Sequence, residues 1–127
     1  MAINYTVVER KNLIDPNQPN KFYASARKSS EMSLVDLAET IADMSTVTSI
    51  DTLAVLEALL KVIPKELSKG NSVKLGDFGG FYTTIKSNGS ETEEDFTNSL
   101  IKRTKINFRP GHRVKNVLNN IQYSKIN

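Results

Sequence analysis

Gly76-Asp77-Phe78-Gly79-Gly80-Phe81 interrupts a region whose residues otherwise alternate with a period of two. Its three glycines lack a Cβ, so the backbone there can bend tightly or approach a neighbour closely. Val73 and Leu75 lead into the stretch. Beyond it Phe81, Thr83 and Ile85 share one face of an extended strand, while Tyr82, Thr84 and Lys86 share the other. Asn88-Gly89 is a turn signal, and a polar, acidic stretch follows from Ser90 to Ser99. A strand then resumes, with Lys102, Thr104, Ile106 and Phe108 alternating with Arg103, Lys105, Asn107 and Arg109. Arg109-Pro110-Gly111 breaks it, and a short final helix carries Val114, Val117, Leu118 and Ile121.

Upstream, the period is helical. Leu34, Leu37, Ala38, Ile41 and Met44 form one apolar stripe, with Ser33 as the expected N-cap and Asp36 in the first turn. Ser49 or Asp51 is expected to cap a second helix with the stripe Leu53, Leu56, Leu60, Ile63 and Leu67. Pro64 lies inside this helix and is expected to kink it or open a hydrogen bond. Gly70 supplies the left-handed residue that ends it. Further upstream, residues 3–10 and Phe22 to Arg27 read as two strands around the turn cluster Asp15-Pro16-Asn17-Gln18-Pro19-Asn20. The expected fold is therefore α+β: an N-terminal β-hairpin over residues 1–30, then a domain over 31–127. That domain holds a helical hairpin, a three-stranded antiparallel sheet with a projecting arm at about 87–101, and a C-terminal helix. So small a sheet cannot cover Phe78, Phe81, Ile106 and Phe108 within one copy, and homodimerisation through that face is the expected remedy.

Composition narrows the function. The chain has 127 residues, with 39% hydrophobic and 24% charged, as in globular proteins. It has no Cys, which removes disulfides and thiolate metal sites. It lacks an apolar run long enough for a membrane span or a signal peptide, so a cytoplasmic protein is expected. The net charge is only +3, but it is unevenly placed. Glu31 to Leu60 holds six acidic residues and no basic one; Lys102 to Lys115 holds six basic residues and no acidic one. That asymmetry suits a polyanionic partner.

The order of elements, the spacing of Phe78 and Phe81 among glycines, and the later Phe108-Arg109-Pro110-Gly111 resemble the HU/IHF family of bacterial histone-like proteins. The resemblance covers roughly Ser33 to Ile121. The strand pair ahead of the first helix resembles the HU-like variants common in Bacteroidetes. The resemblance implies an intertwined dimer whose core contains Phe78, Phe81 and Phe108. It also implies double-stranded DNA as partner, held on the sheet face opposite the phenylalanines, and a place in the nucleoid. By strand register that face carries Lys86, Arg103, Lys105, Asn107 and Arg109, and Arg113 and Lys115 near the start of the last helix would add phosphate contacts. In the family, two β-ribbon arms kink DNA with a Pro wedge in an Arg-Asn-Pro tip. Ser87 to Ser99 contains neither Pro nor Arg and carries Glu91, Glu93, Glu94 and Asp95 instead. Kinking by that wedge is not expected, and Phe96 and Leu100 are more simply read as packing residues than as replacements.

Enzymatic chemistry finds no support. His112 is the single His, set in a cationic run without a nucleophile pattern. The consecutive carboxylates at 93–95 lack an EF-hand pattern, and the glycines match neither a P-loop nor a dinucleotide fingerprint. No cofactor, metal, small-molecule substrate or membrane partner is expected. The expectation is weakly sequence-specific DNA binding with compaction or bending. The alternative is an HU-type fold reused as a protein-interaction or structural module, suggested by the acidic arm and the open strand edge of the added hairpin.

Overall fold

In a computed structural model, which describes residues 2–126, the glycine stretch is the hinge of a three-stranded antiparallel sheet. β3 (Val73–Lys74) leads into a single 3-10 turn at Gly76–Phe78, from which β4 (Gly79–Ser87) turns back. Gly76 (φ 53°) and Gly79 (φ 142°) both adopt positive φ, which a side chain would resist. β5 (Ile101–Pro110) pairs with β4 from Gly79↔Pro110 to Ser87↔Ile101, giving the order β3-β4-β5. Gly111 packs against the 3-10 turn: its N–H donates to the Phe78 carbonyl at 2.9 Å, and a Cβ here would collide with the Asp77 carbonyl.

Two helices precede the sheet. α1 (Leu34–Asp43) and α2 (Ser49–Ser68) form the expected helical hairpin, with Ala38 and Thr52 buried. Thr52 is buried without loss because its hydroxyl donates to the Thr48 carbonyl at 2.8 Å. The cap of α2 differs from expectation: Thr48, not Ser49 or Asp51, has the extended N-cap backbone, and its hydroxyl accepts from the Asp51 N–H at 3.1 Å. α2 continues through Pro64, whose ring faces outward and leaves the Leu60 carbonyl without its helical donor. The helix closes with two reversed bonds, Gly70 N–H to the Leu67 carbonyl and Asn71 N–H to the Glu66 carbonyl, with Gly70 at φ 86°. Beside them Glu66 accepts from Asn71 Nδ2 at 2.8 Å and from Lys69 Nζ at 3.3 Å, and the Asn71 bond, then Lys69, holds its carboxyl below the usual value of 4.5.

The chain divides into two compact units, one being Leu34–Asn116. The other joins the residues up to Ser33 with those from Val117 onward. In that second unit β1 (Ala2–Arg10) pairs antiparallel with β2 (Lys21–Arg27), the expected hairpin, around a turn closed by Gln18 N–H to the Asp15 carbonyl at 3.1 Å. A strand that periodicity does not reveal, β6 (Gln122–Lys125), pairs parallel with β1 from Ala2↔Gln122 to Tyr5↔Lys125. α3 (His112–Asn119) is a short helix opened by Gly111, whose carbonyl accepts from the Lys115 N–H at 2.9 Å.

Buried hydrophobic side chains are few. Among the described residues only Ala38 and Leu67 are buried apolar residues, and no large side chain is fully enclosed. Phe78, Ile106 and Phe108 remain 45%, 56% and 40% exposed.

Candidate nucleic-acid interface

The register of β4 and β5 sorts their residues into two unlike faces. Cross-strand partners share a face, and Phe81↔Phe108, Thr83↔Ile106 and Ile85↔Thr104 make one row set. Val73 extends it as the partner of Phe81. Phe108 is the hub of this side, its ring centroid 5.4 Å from that of Phe78 and 5.0 Å from that of Phe81, both pairs tilted.

The other face is cationic. Tyr82↔Asn107, Thr84↔Lys105 and Lys86↔Arg103 are its rows, with Arg109 paired to Gly80. Lys86, Arg103, Lys105, Asn107 and Arg109 are thus brought onto one face of one ribbon, and neither strand contains a carboxylate. Two contacts order it: the Arg109 guanidinium lies 5.2 Å from the Tyr82 ring centroid, and Asn107 Nδ2 donates diagonally to Thr84 Oγ1 at 2.9 Å. The only ion pairs given by the described residues are Lys28–Glu31 and Lys69–Glu66, so none of the ribbon cations is neutralised by a carboxylate.

Lys74 joins this face unannounced. It pairs with Gly80, which pairs with Arg109, so the row reads Lys74, Gly80, Arg109 with no side chain in the middle. These residues line one side of a shallow concavity of about 450 Å3. A two-residue strand has no readable period, and only the ladder reveals which way Lys74 belongs. Lys102 is the converse case. The register slips between Lys86 and Ser87, passing from Lys86↔Arg103 to Ser87↔Ile101, and leaves Lys102 as the extra residue of a bulge outside the row scheme.

Arg113 and Lys115 sit on another element, in the first turns of α3, where both are exposed. They are not part of the ribbon face.

The arm is short. The paired strands end at Ser87 and Ile101, and Asn88 N–H closes the loop by donating to the Leu100 carbonyl at 2.8 Å. Between them the chain folds on itself: Asp95 N–H donates to Thr92 Oγ1 at 3.2 Å, Phe96 N–H to the Glu93 carbonyl at 3.2 Å, and a 3-10 turn spans Asn98–Leu100. Residues 88–100 form a locally bonded loop instead of a continued β-ribbon, with the four carboxylates exposed around its turn. Phe96 is 39% exposed.

Among the described residues no cluster of His, Asp or Glu side chains could hold a metal ion, and no helix is long and apolar enough to cross a membrane.

The model of a family described as an HU domain fused to wHTH, Ig, or glycine-rich motif matches residues 1–125. Among solved structures, the fold is similar to that of a protein of Bacteroides vulgatus ATCC 8482 provisionally described as a bacterial DNA-binding protein, at TM-score 0.66 and 9% identity. That match covers 98% of this chain and 48% of the other, so the chain spans about half the length of that protein. It is also similar to HU of Anabaena in a cocrystal with DNA, at TM-score 0.55 and 21% identity, over 70% of this chain and 99% of the other. At these identities the likeness to solved structures is one of fold. No protein of curated function matches the chain.

Proposed function

The chain belongs to the HU-HIG family, HU domains fused to further motifs, and on that premise we propose that it is a non-enzymatic, histone-like DNA-binding protein acting as a homodimer in the nucleoid. The observation that carries this reading is the ribbon face on which Lys74, Lys86, Arg103, Lys105 and Arg109 stand without a carboxylate, back to back with an exposed phenylalanine face. Lys and Arg in such an array neutralise phosphates and release counterions, which drives binding without reading bases. Affinity is therefore weakly dependent on sequence. Arg113 and Lys115 on α3 add phosphate contacts at the margin.

The dimer follows from the opposite face. Phe78, Phe81, Ile106 and Phe108 cluster on one side and stay partly exposed in a single copy, and a second copy laid on that face would complete the core. Two ribbon faces side by side would make a continuous cationic saddle able to bend or compact a duplex. In this reading residues 31–127 are the DNA-binding domain with its arm at 87–101. Residues 1–30 are an extension whose sheet also receives β6.

The test is a titration of mixed-sequence duplex at several salt concentrations. Affinity should fall steeply with salt, and Arg103→Ala with Lys105→Ala should lower the slope of log K against log salt by about 1.8 per chain. Absence of binding even at low salt overturns the reading. The exposed carboxylates of the 88–100 loop and the unpaired outer edge of β2 favour a second reading, a protein-interaction module. That reading requires negligible DNA affinity and a partner whose capture depends on residues 1–28.

A further inference from the structure

The tip of the N-terminal hairpin is built unlike a solvated loop. Arg10 and Lys21 are direct cross-strand partners where the strands end, and Lys11 follows at once. Like charges set opposite one another on a strand pair destabilise it. The nearest strand carboxylate, Glu9, belongs to the other face by strand alternation and accepts from Asn20 Nδ2 at 3.2 Å. Asp15, the acid within the loop, is half-buried and accepts from the Asn17 N–H at 3.1 Å. Arg10 lies 5.9 Å from the Tyr23 ring centroid, and Arg10, Lys11, Lys21 and Tyr23 line one concavity with Leu13 and Ile14.

The loop is also ordered by local hydrogen bonds, and its turn presents apolar groups. Asn12 Oδ1 accepts from the N–H groups of Ile14 and Asp15 at 3.0 and 3.1 Å, an Asx turn. The two residues it leaves outside are Leu13 and Ile14, 91% and 97% exposed. An ordered turn holding two adjacent aliphatic side chains almost wholly in water, beside three cations, is an arrangement that an anionic surface with an apolar interior would satisfy. Duplex DNA is such a surface: phosphates line a groove roughly 6 Å wide, and the stacked bases beneath accept apolar wedges that unstack a step.

We propose that the hairpin tip is a second DNA contact, in which Arg10, Lys11 and Lys21 hold phosphates while Leu13 and Ile14 enter the minor groove as a wedge. It rests on the reading of the chain as a DNA-binding protein. It gives the N-terminal hairpin the kinking role that the acidic 88–100 loop lacks the residues to perform.

The experiment uses the full chain with a mixed-sequence duplex carrying 2-aminopurine at internal steps and dyes at its ends. Two hairpin variants are compared with Arg103→Ala/Lys105→Ala on the ribbon. Lys11→Ala/Lys21→Ala should lower the salt slope by about 1.8, so that between 50 and 200 mM salt its affinity falls about tenfold less than that of the parent. Leu13→Ser/Ile14→Ser should leave the slope unchanged and abolish both the 2-aminopurine brightening and the end-to-end shortening. Since Leu13 and Ile14 are almost fully exposed, circular dichroism should show both variants folded like the parent. If the parent and ribbon variants behave as the DNA-binding reading requires and both hairpin variants match the parent, the hairpin inference is overturned and the DNA-binding reading stands. If the parent binds no duplex at low salt, both are overturned. Leu13- and Ile14-dependent binding to vesicles of anionic phospholipid, with no effect of these residues on DNA, would reassign the tip to a lipid surface and overturn the inference.

Discussion

Replacing Phe108 by Ala removes the ring on which two others converge, Phe78 at 5.4 Å and Phe81 at 5.0 Å. In one copy that ring is 40% exposed, so the substitution acts in two places. A phenylalanine side chain buries on the order of 200 Å2 when enclosed. About three-fifths of that, some 120 Å2, is already covered within the chain and is worth about 3 kcal/mol at ~25 cal/mol per Å2. The remaining ~80 Å2, about 2 kcal/mol per copy, is covered only if a second copy closes over the face. Counted twice in a symmetric dimer this is about 4 kcal/mol, close to a thousandfold in the dimer dissociation constant. Sedimentation equilibrium measures that shift directly, and urea denaturation at two protein concentrations separates the parts. The parent midpoint should rise with concentration, while the variant should be less stable and lose that dependence at micromolar chain. A parent that sediments as a monomer, with a midpoint independent of concentration, overturns the dimer: the exposed phenylalanine face would then belong to the folded monomer.

Three further outcomes test local features. Gly111→Ala drives a Cβ into the Asp77 carbonyl and to 3.1 Å from the Gly79 nitrogen, both backbone groups that cannot rotate away; the expected cost is about 1–3 kcal/mol, read as a lower melting temperature. Thr48→Ala removes the acceptor for the Asp51 N–H and should cost about 1 kcal/mol, whereas Thr48→Ser should be close to neutral in the same thermal melts. Glu66 is held below 4.5 chiefly by Asn71, then by Lys69, so its ionised form favours the folded state. That contribution is present above the unfolded value and is lost as pH falls through the lower folded one. Carboxyl titration by NMR should therefore give a midpoint under 4.5 that moves back up in Asn71→Ala.

The two ribbon faces were legible because period-two alternation survives in both strands and the glycine–phenylalanine spacing fixes where they turn. Arg103, Lys105, Asn107 and Arg109 fall where alternation puts them, and the ladder joins them to Lys86. What escaped reading depended on partners distant in sequence or on backbone angles. Lys74 and β6 are too short to show a period, and the ladders with Gly80 and with Ala2 to Tyr5 place them. Thr48, Ser49 and Asp51 are all good capping residues, and only the extended backbone at Thr48 decides among them. The 88–100 loop is bonded through Thr92, Glu93 and Leu100 in a pattern that no periodicity announces.

The parallel pairing of β6 with β1 bears on how the chain folds as it is made. Leu34–Asn116 is contiguous, whereas the sheet holding β1 lacks a strand until Gln122–Lys125 has been synthesised. A two-stranded hairpin is marginal alone, and at ~5–20 residues per second roughly a hundred residues take some 5–20 s to add. Throughout that interval β1 presents an unpaired edge beside Ile3 and Tyr5. That edge is an open pairing template until the chain's own β6 fills it.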